Sequence, residues 1–309
     1  MVELEARIRD MRAYADEQGV DLTGEIAAFE ERLASLTRDT FASLNRWQRV
    51  QVARAPGRPT ALDFLAGVVE EFTELHGDRT LGDDPALVGG LARLGHRGLV
   101  VIAQQKGRDT KDNIHRNFGM AHPSGYRKAL RLFDLADKFA LPVLCLIDTP
   151  GAYPGIAAEE QGQAWVIAAS IQRMSRLGVP AVSVIVGEGG SGGALALGVA
   201  NRVLILEHAI YSVISPESCA AIRWRDAAEA PRAAEALKLT AHDLLEQGVV
   251  DEGVAEPVGG AHKDPGGAIE AVKVSVERAF AELYEIPGAR LAGERCERFR
   301  RMGRFLEAA

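Results

Sequence analysis

The chain has 309 residues, with 47% hydrophobic and 6% aromatic side chains and a formal net charge of −7. That length supports one large or two modest domains with ample core, and the acidic balance argues against nucleic acid as a partner. Three widely separated cysteines, Cys145, Cys219 and Cys296, exclude a CxxC zinc site and a disulfide framework and suit a reducing compartment.

The opening Met1-Val-Glu-Leu-Glu-Ala-Arg7 is charged, unlike a signal peptide. No apolar run reaches about 18 residues, so a cytoplasmic chain without a membrane anchor is expected. Leu4, Ile8, Met11 and Ala15 then fall at helical spacing until Gly19, and Ile26, Phe29, Leu33 and Leu36 alternate steps of three and four. The pattern predicts a helical hairpin with a coiled-coil-like seam, read first as a pair packed on its own core and second as a partner-binding arm. Ala55-Pro-Gly-Arg-Pro59 breaks it and marks a boundary. Thr60 caps a further predicted helix, with Leu62, Leu65, Val69 and Phe72 inward and Gly77 as its end.

From Leu87 the pattern becomes strands. Leu87 to Leu94, the turn Gly95-His-Arg-Gly98, and Leu99 to Gln104 read as a hairpin. A helix over 124–139, a strand over 142–147, a helix over 157–177 and a strand over 181–186 follow. A short Ala- and Gly-rich helix over 191–200 precedes strands 202–206 and 209–214. This alternation predicts an α/β fold. Ser215-Pro216, Thr240 with Asp243, and Asp264-Pro265 are helix-start signals. Ala289 to Arg304 reads as an arginine-rich helix. The expected division is a helical region 1–55, a main domain 56–286 and a helical tail 287–309.

Strands 142–147 and 181–186 each run into a glycine-rich turn that has no reactive side chain of its own. These turns are Asp148-Thr-Pro-Gly-Ala-Tyr-Pro-Gly155 and Gly187-Glu-Gly-Gly-Ser-Gly-Gly-Ala194. Bare backbone there brings N–H groups up to a ligand, and fixed donors of that kind stabilise a developing oxyanion or enolate. Short motifs compete for the same residues. Asp148-Thr-Pro-Gly151 is a D-x-x-G, but the chain has no Gly-Lys pair to hold phosphates, so a GTPase is excluded. Gly187-x-Gly189-x-x-Gly192 fits a dinucleotide fingerprint with Glu207 as the ribose acid, yet too few residues follow for the helix of a βαβ unit. Gly189-x-Ser191-x-Gly193 fits a nucleophile elbow, with Asp251 and His262 in the order of a serine hydrolase. With seven histidines and 43 acids in the chain, such a trio also arises by accident.

Longer stretches are more specific. Gln105-Lys-Gly-Arg-Asp-Thr-Lys111, Arg116-Asn-Phe-Gly-Met120, Gly125-Tyr-Arg-Lys-Ala-Leu-Arg131, both glycine turns and Tyr211-Ser-Val-Ile-Ser-Pro-Glu217 occur in one order. Together with the N-terminal helices and Gly259-Gly-Ala-His262, they resemble the carboxyltransferase α subunits of bacterial acetyl-CoA carboxylase over nearly the whole chain. Ser218 departs from the glycine common in that family. The resemblance implies a crotonase-like (ClpP/crotonase) core of repeated ββα units with an N-terminal helical hairpin and a C-terminal helix. It implies transfer of a carboxyl group from carboxybiotin, borne on a separate carrier protein, to acetyl-CoA, giving malonyl-CoA for fatty acid synthesis. The expected partners are a carboxyltransferase β subunit in an α2β2 assembly, a biotin carboxyl carrier protein and, in the wider complex, a biotin carboxylase. Zinc is expected only in the β subunit, because this chain has no four-cysteine pattern. No membrane or nucleic acid is expected, and no covalently bound cofactor.

In this reading the charge left on the biotin ureido oxygen, and that on the thioester enolate, each need N–H donors. Gly192, Gly193 and Ala194 are the expected backbone donors, and opening a helix adds its dipole. Released biotin can take the proton, so no side-chain base is required. Gly151, Ala152, Tyr153, Gly155, Gly189 and Gly190 are expected to contact substrate. The segment Gln104–Arg131 sets seven cations, among them Arg108 and Lys111, against two acids. These charges read either as attraction for a phosphate or carboxylate or as a solvated helix face. No single arginine is assigned a catalytic role. Glu188 and Glu217 are possible acid/base residues, with Glu217 better placed as a helix first-turn acid. Two rivals stay open: a serine hydrolase centred on Ser191, and a non-catalytic assembly subunit.

Overall fold

The pairing of apolar strands sets the architecture, seen in a computed structural model that describes residues 2–303. The strands are β1 (Glu70–Glu74), β2 (Leu87–Leu94), β3 (Arg97–Gln104), β4 (Val143–Thr149), β5 (Ala181–Gly190), β6 (Arg202–Leu206), β7 (Ile210–Ser212) and β8 (Glu252–Val254). They form one mixed sheet in the order β1-β2-β3-β4-β5-β6-β8, with β7 pairing β5. The β1–β2 and β2–β3 pairs are antiparallel, and the pairs from β3 onward are parallel. β4 is buried at every position and β5 at all but its last. Strands covered on both faces are continuous apolar runs, which is what these two sequences supply. Helices Pro123–Lys138 and Gln163–Ser175 pack on each other, as do Ala61–Val68 and Pro265–Tyr284, and both pairs join the core. The α/β class is borne out.

The helix-start signals also hold. Thr60 with Asp63 and Thr240 with Asp243 make reciprocal capping boxes. Ser215 accepts from the Ser218 N–H, and Asp264 from that of Gly267.

Four expected boundaries are corrected. The helix begun at Thr60 ends at Val68, and 70–74 is edge strand β1, paired with β2 through Thr73 and Leu91. The β-branched pair Val68-Val69 favours leaving the helix, and β2 offers an open edge. The hairpin turn is shorter than expected: Leu94 pairs with Arg97, leaving Gly95-His96, with Gly95 at the positive φ such turns require. The helix expected over 157–177 is two, Ile156–Glu160 and Gln163–Ser175, broken at left-handed Gly162. The helix expected over 191–200 has only five residues, Ser191–Leu195.

The N-terminal helices Val2–Gln18 and Thr23–Ala42 form the expected hairpin, but the second has no buried residue. Ile26, Phe29 and Leu33 are half-buried and Leu36 is exposed, so the hairpin has little core of its own. It touches the body through the Glu5–Lys263 ion pair and an edge contact of Phe41 with His208. The last helix, Gly288–Arg300, is docked by Leu291 and by Arg295, both buried. Arg295 donates to the carbonyls of Met174, Leu177 and Val179 and to Asn201 Oδ1. Arg304, the expected end of this helix, and the rest of 304–309 lie outside the described residues.

Candidate active site

β4 and β5 deliver the two glycine turns to one place. Thr149 at the end of β4 is in register with Gly189 at the end of β5. Beyond them the turns touch through their backbones. A Cβ on Gly190 would fall inside the Pro150 carbonyl, and one on Gly193 would lie 2.5 Å from the Ala152 nitrogen and 2.7 Å from the Gly151 carbonyl carbon. Glycine is obligatory at both positions because backbone fills the space of a side chain. Gly192 differs. Its nearest neighbour would be Ile167 Cγ2 at 3.5 Å, an ordinary contact. Between them, Ser191 holds φ 52°, a left-handed conformation that is uncommon for a side-chain-bearing residue and that turns the chain sharply at the end of β5.

The end of β3 supports both turns. Gln104, fully buried, donates from Nε2 to the Gly193 carbonyl at 2.7 Å. Lys106 Nζ lies 2.8 Å from Asp148 Oδ1 and 2.7 Å from Glu188 Oε2, tying the exits of β4 and β5 together. Asp148 Oδ1 also accepts the Glu188 N–H at 2.9 Å. A Cβ on Gly187 would collide with that carboxylate. Arg54, from the end of helix Arg46–Ala53, continues the network at 2.6 Å from Glu188 Oε1 and 2.5 Å from Glu217 Oε1. Burial alone would lower the Lys106 pKa, but Asp148 and Glu188 outweigh it and the net shift is upward. Glu188 is shifted down for the matching reason: burial raises it, and Lys106 and Arg54 lower it further. It is held as a carboxylate between two cations, which argues against an acid/base role. Glu217 sits in the first turn of helix Pro216–Trp224.

Two sizeable cavities meet this region among the described residues. One of about 960 Å³ is lined by Lys106, Arg108, Phe118, Asp148, Pro150 and Glu188. The other, of about 400 Å³ and largely apolar, is bordered by Ser191, Gly192, Tyr211, Val213 and Phe299. Among the other expected residues, Tyr153 stacks on His122 with ring centroids 4.0 Å apart. Gly155 gives the Tyr153 ring room. Arg108 pairs with Asp63, and Lys111 is exposed. Sequence reasoning missed Gln104, Arg54 and the structural use of Asp148. The available signal was a polar run, Gln104-Gln105-Lys106, ending an otherwise apolar strand.

Three expectations about chemistry change. A five-residue helix has little macrodipole, so any donor strength at Gly192–Ala194 comes from the local N–H groups. The hydrolase trio is not assembled: Asp251 holds the Val203 N–H and Arg298, while the charges acting on His262 are Lys263, Arg58 and Glu256. The basic segment is mostly consumed internally. Arg127 pairs with Asp78 and buried Lys128 with Asp83, while Arg131 donates to the Leu75 and Gly77 carbonyls, clasping loop 75–84 to helix Pro123–Lys138.

That clasp predicts acid lability. Burial raises the pKa of Asp78 and Asp83, but hydrogen bonds from Thr80 and Arg127 to the first, and from Lys128 and Gly77 to the second, bring both well below the usual range. Carboxylates depressed in the folded state stabilise it above their unfolded pKa of about 3.9 and lose that contribution as pH falls toward the folded values. Hydrogen exchange across 77–84 is therefore expected to rise below about pH 4. Protection unchanged to pH 2 would contradict it.

Comparison with known proteins identifies the fold and the family. Solved structures with the same fold include a transcarboxylase 12S with methylmalonyl-coenzyme A and methylmalonic acid bound, at TM-score 0.61 and 20% identity over 75% of this chain and 42% of that one. Another is a Pseudomonas malonate decarboxylase hetero-tetramer in complex with coenzyme A, at TM-score 0.61 and 20% identity, covering 78% and 96%. The fold is thus that of the crotonase-like carboxyltransferases. Residues 1–303 match the family described as acetyl co-enzyme A carboxylase carboxyltransferase-like. The acetyl-coenzyme A carboxylase carboxyl transferase subunit alpha of a Thermus thermophilus strain is 63% identical over 99% of this chain and 97% of the relative. That of Deinococcus radiodurans is 58% identical over 99% and 96%. The chain belongs to the family of acetyl-CoA carboxylase carboxyltransferase α subunits.

Proposed function

We propose that this chain, with a β partner, transfers the carboxyl group of carboxybiotin, carried on a separate protein, to acetyl-CoA to form malonyl-CoA. The observation that carries the reading is the backbone-to-backbone packing of two glycine turns at the ends of β4 and β5. Their packing fixes the backbone of Ser191 and Gly192 at the border of the apolar cavity, where an anionic oxygen requires N–H donors at about 2.7–3.1 Å. Gly192, Gly193 and Ala194 are the proposed donors. Gly151, Ala152, Tyr153, Gly155, Gly189 and Gly190 form the proposed contact surface. Zinc belongs to the β subunit in this proposal, and the setting is the cytoplasm, with an α2β2 assembly served by a biotin carboxyl carrier protein and a biotin carboxylase. Segment 56–286 is the proposed carboxyltransferase domain, flanked by the helical region 1–55 and the tail 287–309.

The test is malonyl-CoA decarboxylation in the presence of a biotin analogue, using the purified chain with and without a zinc-ribbon partner subunit. Activity is expected only from the pair, and inactivity of the reconstituted pair would overturn the reading. Full malonyl-CoA synthesis by this chain alone would instead remove the need for the partner. Ser191→Ala should retain most of the activity, because no acyl-enzyme forms. A loss of the size seen on removing a nucleophile would restore the hydrolase alternative.

The exposed charge at Lys111 offers a separate expectation. Arg108 is engaged by Asp63, so Lys111→Glu is the cleaner reversal. It should raise the KM for the anionic substrate a few-fold at low salt, with the effect fading as ionic strength rises. Kinetics unchanged at every salt concentration would make Lys111 a solvating residue only.

A further inference from the structure

We infer that Gln104 is a positioning residue that orients and polarises the Gly193–Ala194 peptide, so that the Ala194 N–H is directed at the substrate oxygen. This rests on the proposed carboxyltransferase reading. A trans peptide points its C=O and N–H in opposite directions. Gln104 Nε2 holds the Gly193 carbonyl from beneath at 2.7 Å, which fixes the direction of the Ala194 N–H on the far side of the same peptide. Gln104 is 0% exposed, and the Gly193 carbonyl it serves has only its amide for this purpose among the described hydrogen bonds.

The amide can sit only one way round. A carbonyl accepts and never donates, so the NH₂ end faces Gly193 and leaves Oε1 for another donor. Neither that Oε1 nor the buried Tyr126 hydroxyl has a hydrogen-bond partner among the described residues. Burial, with Asp84 adding to it, pushes the Tyr126 pKa upward, so its hydroxyl stays protonated. The hydroxyl also lies beside the turn, 2.9 Å from where a Gly193 Cβ would sit.

Gln104→Met keeps volume and removes the donor, while Gln104→His restores a ring N–H at similar reach. In the complex of the full chain with its partner subunit, Gln104→Met should lower kcat about tenfold with KM within twofold, and Gln104→His should recover most of it. Tenfold is below the roughly 10²–10³ expected for losing a donor outright, because the N–H remains but is weaker and less well aimed. Amide NMR of the full chain gives a readout independent of turnover: the Ala194 amide proton should move upfield in Gln104→Met and return in Gln104→His. A wild-type complex without carboxyltransferase activity would defeat the functional reading on its own. An active wild type with equal kcat in Gln104→Met, or an unmoved Ala194 resonance, would overturn the role of Gln104. A fall in kcat that Gln104→His does not recover would assign the side chain to packing and overturn it as well.

Discussion

Gly193→Val is expected to abolish carboxyl transfer and loosen the fold together, whereas Gly192→Ala should leave the fold intact. The two glycines are adjacent, yet their surroundings differ. At position 193 even a single methyl would press 2.5 Å from the Ala152 nitrogen, and the contact is backbone on both sides. Neither turn can yield without pulling β4 or β5 out of register, so a stability loss of about 1–3 kcal/mol or more accompanies the lost activity. At position 192 the added methyl meets only Ile167 at 3.5 Å. Any fall in kcat for Gly192→Ala therefore reports crowding at the donors, not damage to the scaffold. Thermal melting and turnover on the same preparations separate the cases. An active, wild-type-stable Gly193→Val would refute the packing of the turns.

Lys106→Met should be the most destabilising single change at the clasp beneath them. Its ammonium serves Asp148 and Glu188, whose side chains are about nine-tenths buried. Removing one partner of a buried ion pair typically costs about 3–5 kcal/mol, because the remaining charge is left uncompensated. Arg54 still compensates Glu188, so Asp148 bears most of the loss. Denaturant unfolding measures it, and a change under about 1 kcal/mol would mean that water replaces the ammonium freely. The sign with pH follows from the raised lysine pKa. The stabilisation is fully present below the unfolded value of about 10.4 and disappears as pH rises through the folded one. Wild type should lose stability on the alkaline side, and Lys106→Met should lack that limb.

Much of the sheet was legible because its strands are apolar runs between glycine and proline signals, as in 142–147 and 181–186, although β4 runs on to Thr149 and β5 to Gly190. The helix starts were legible because Thr60, Ser215, Thr240 and Asp264 act through neighbours three residues away. What could not be read were features decided by distant partners. β1 exists because the edge of β2 is available, although Val69 and Phe72 also fit a helical period. The glycine turns could be singled out, but their mutual contact needs β4 and β5 to be neighbours. The basic segment misled because charge counting cannot see that Asp78 and Asp83, some fifty residues earlier than Arg127 and Lys128, fold back onto them. Gln104 was marked only by the polar run that ends its strand, and nothing in the sequence pointed to its partner 89 residues away.

Arg295 has a consequence for how the molecule comes apart. Burial brings its pKa down to about 10, with Asp137 opposing at longer range, so it stays charged at neutral pH. Its hydrogen bonds end on three carbonyls and an amide oxygen, none of which titrates or attracts mobile ions. The contacts that attach the N-terminal hairpin include the surface pair Glu5–Lys263, which salt screens. The two ends of the chain should therefore respond oppositely to ionic strength. Added salt should expose the hairpin to protease while helix Gly288–Arg300 stays docked, and Arg295→Leu should release that helix at any salt concentration. The C-terminal helix would then be the end of the chain held independently of its ionic surroundings, and the hairpin the end that senses them.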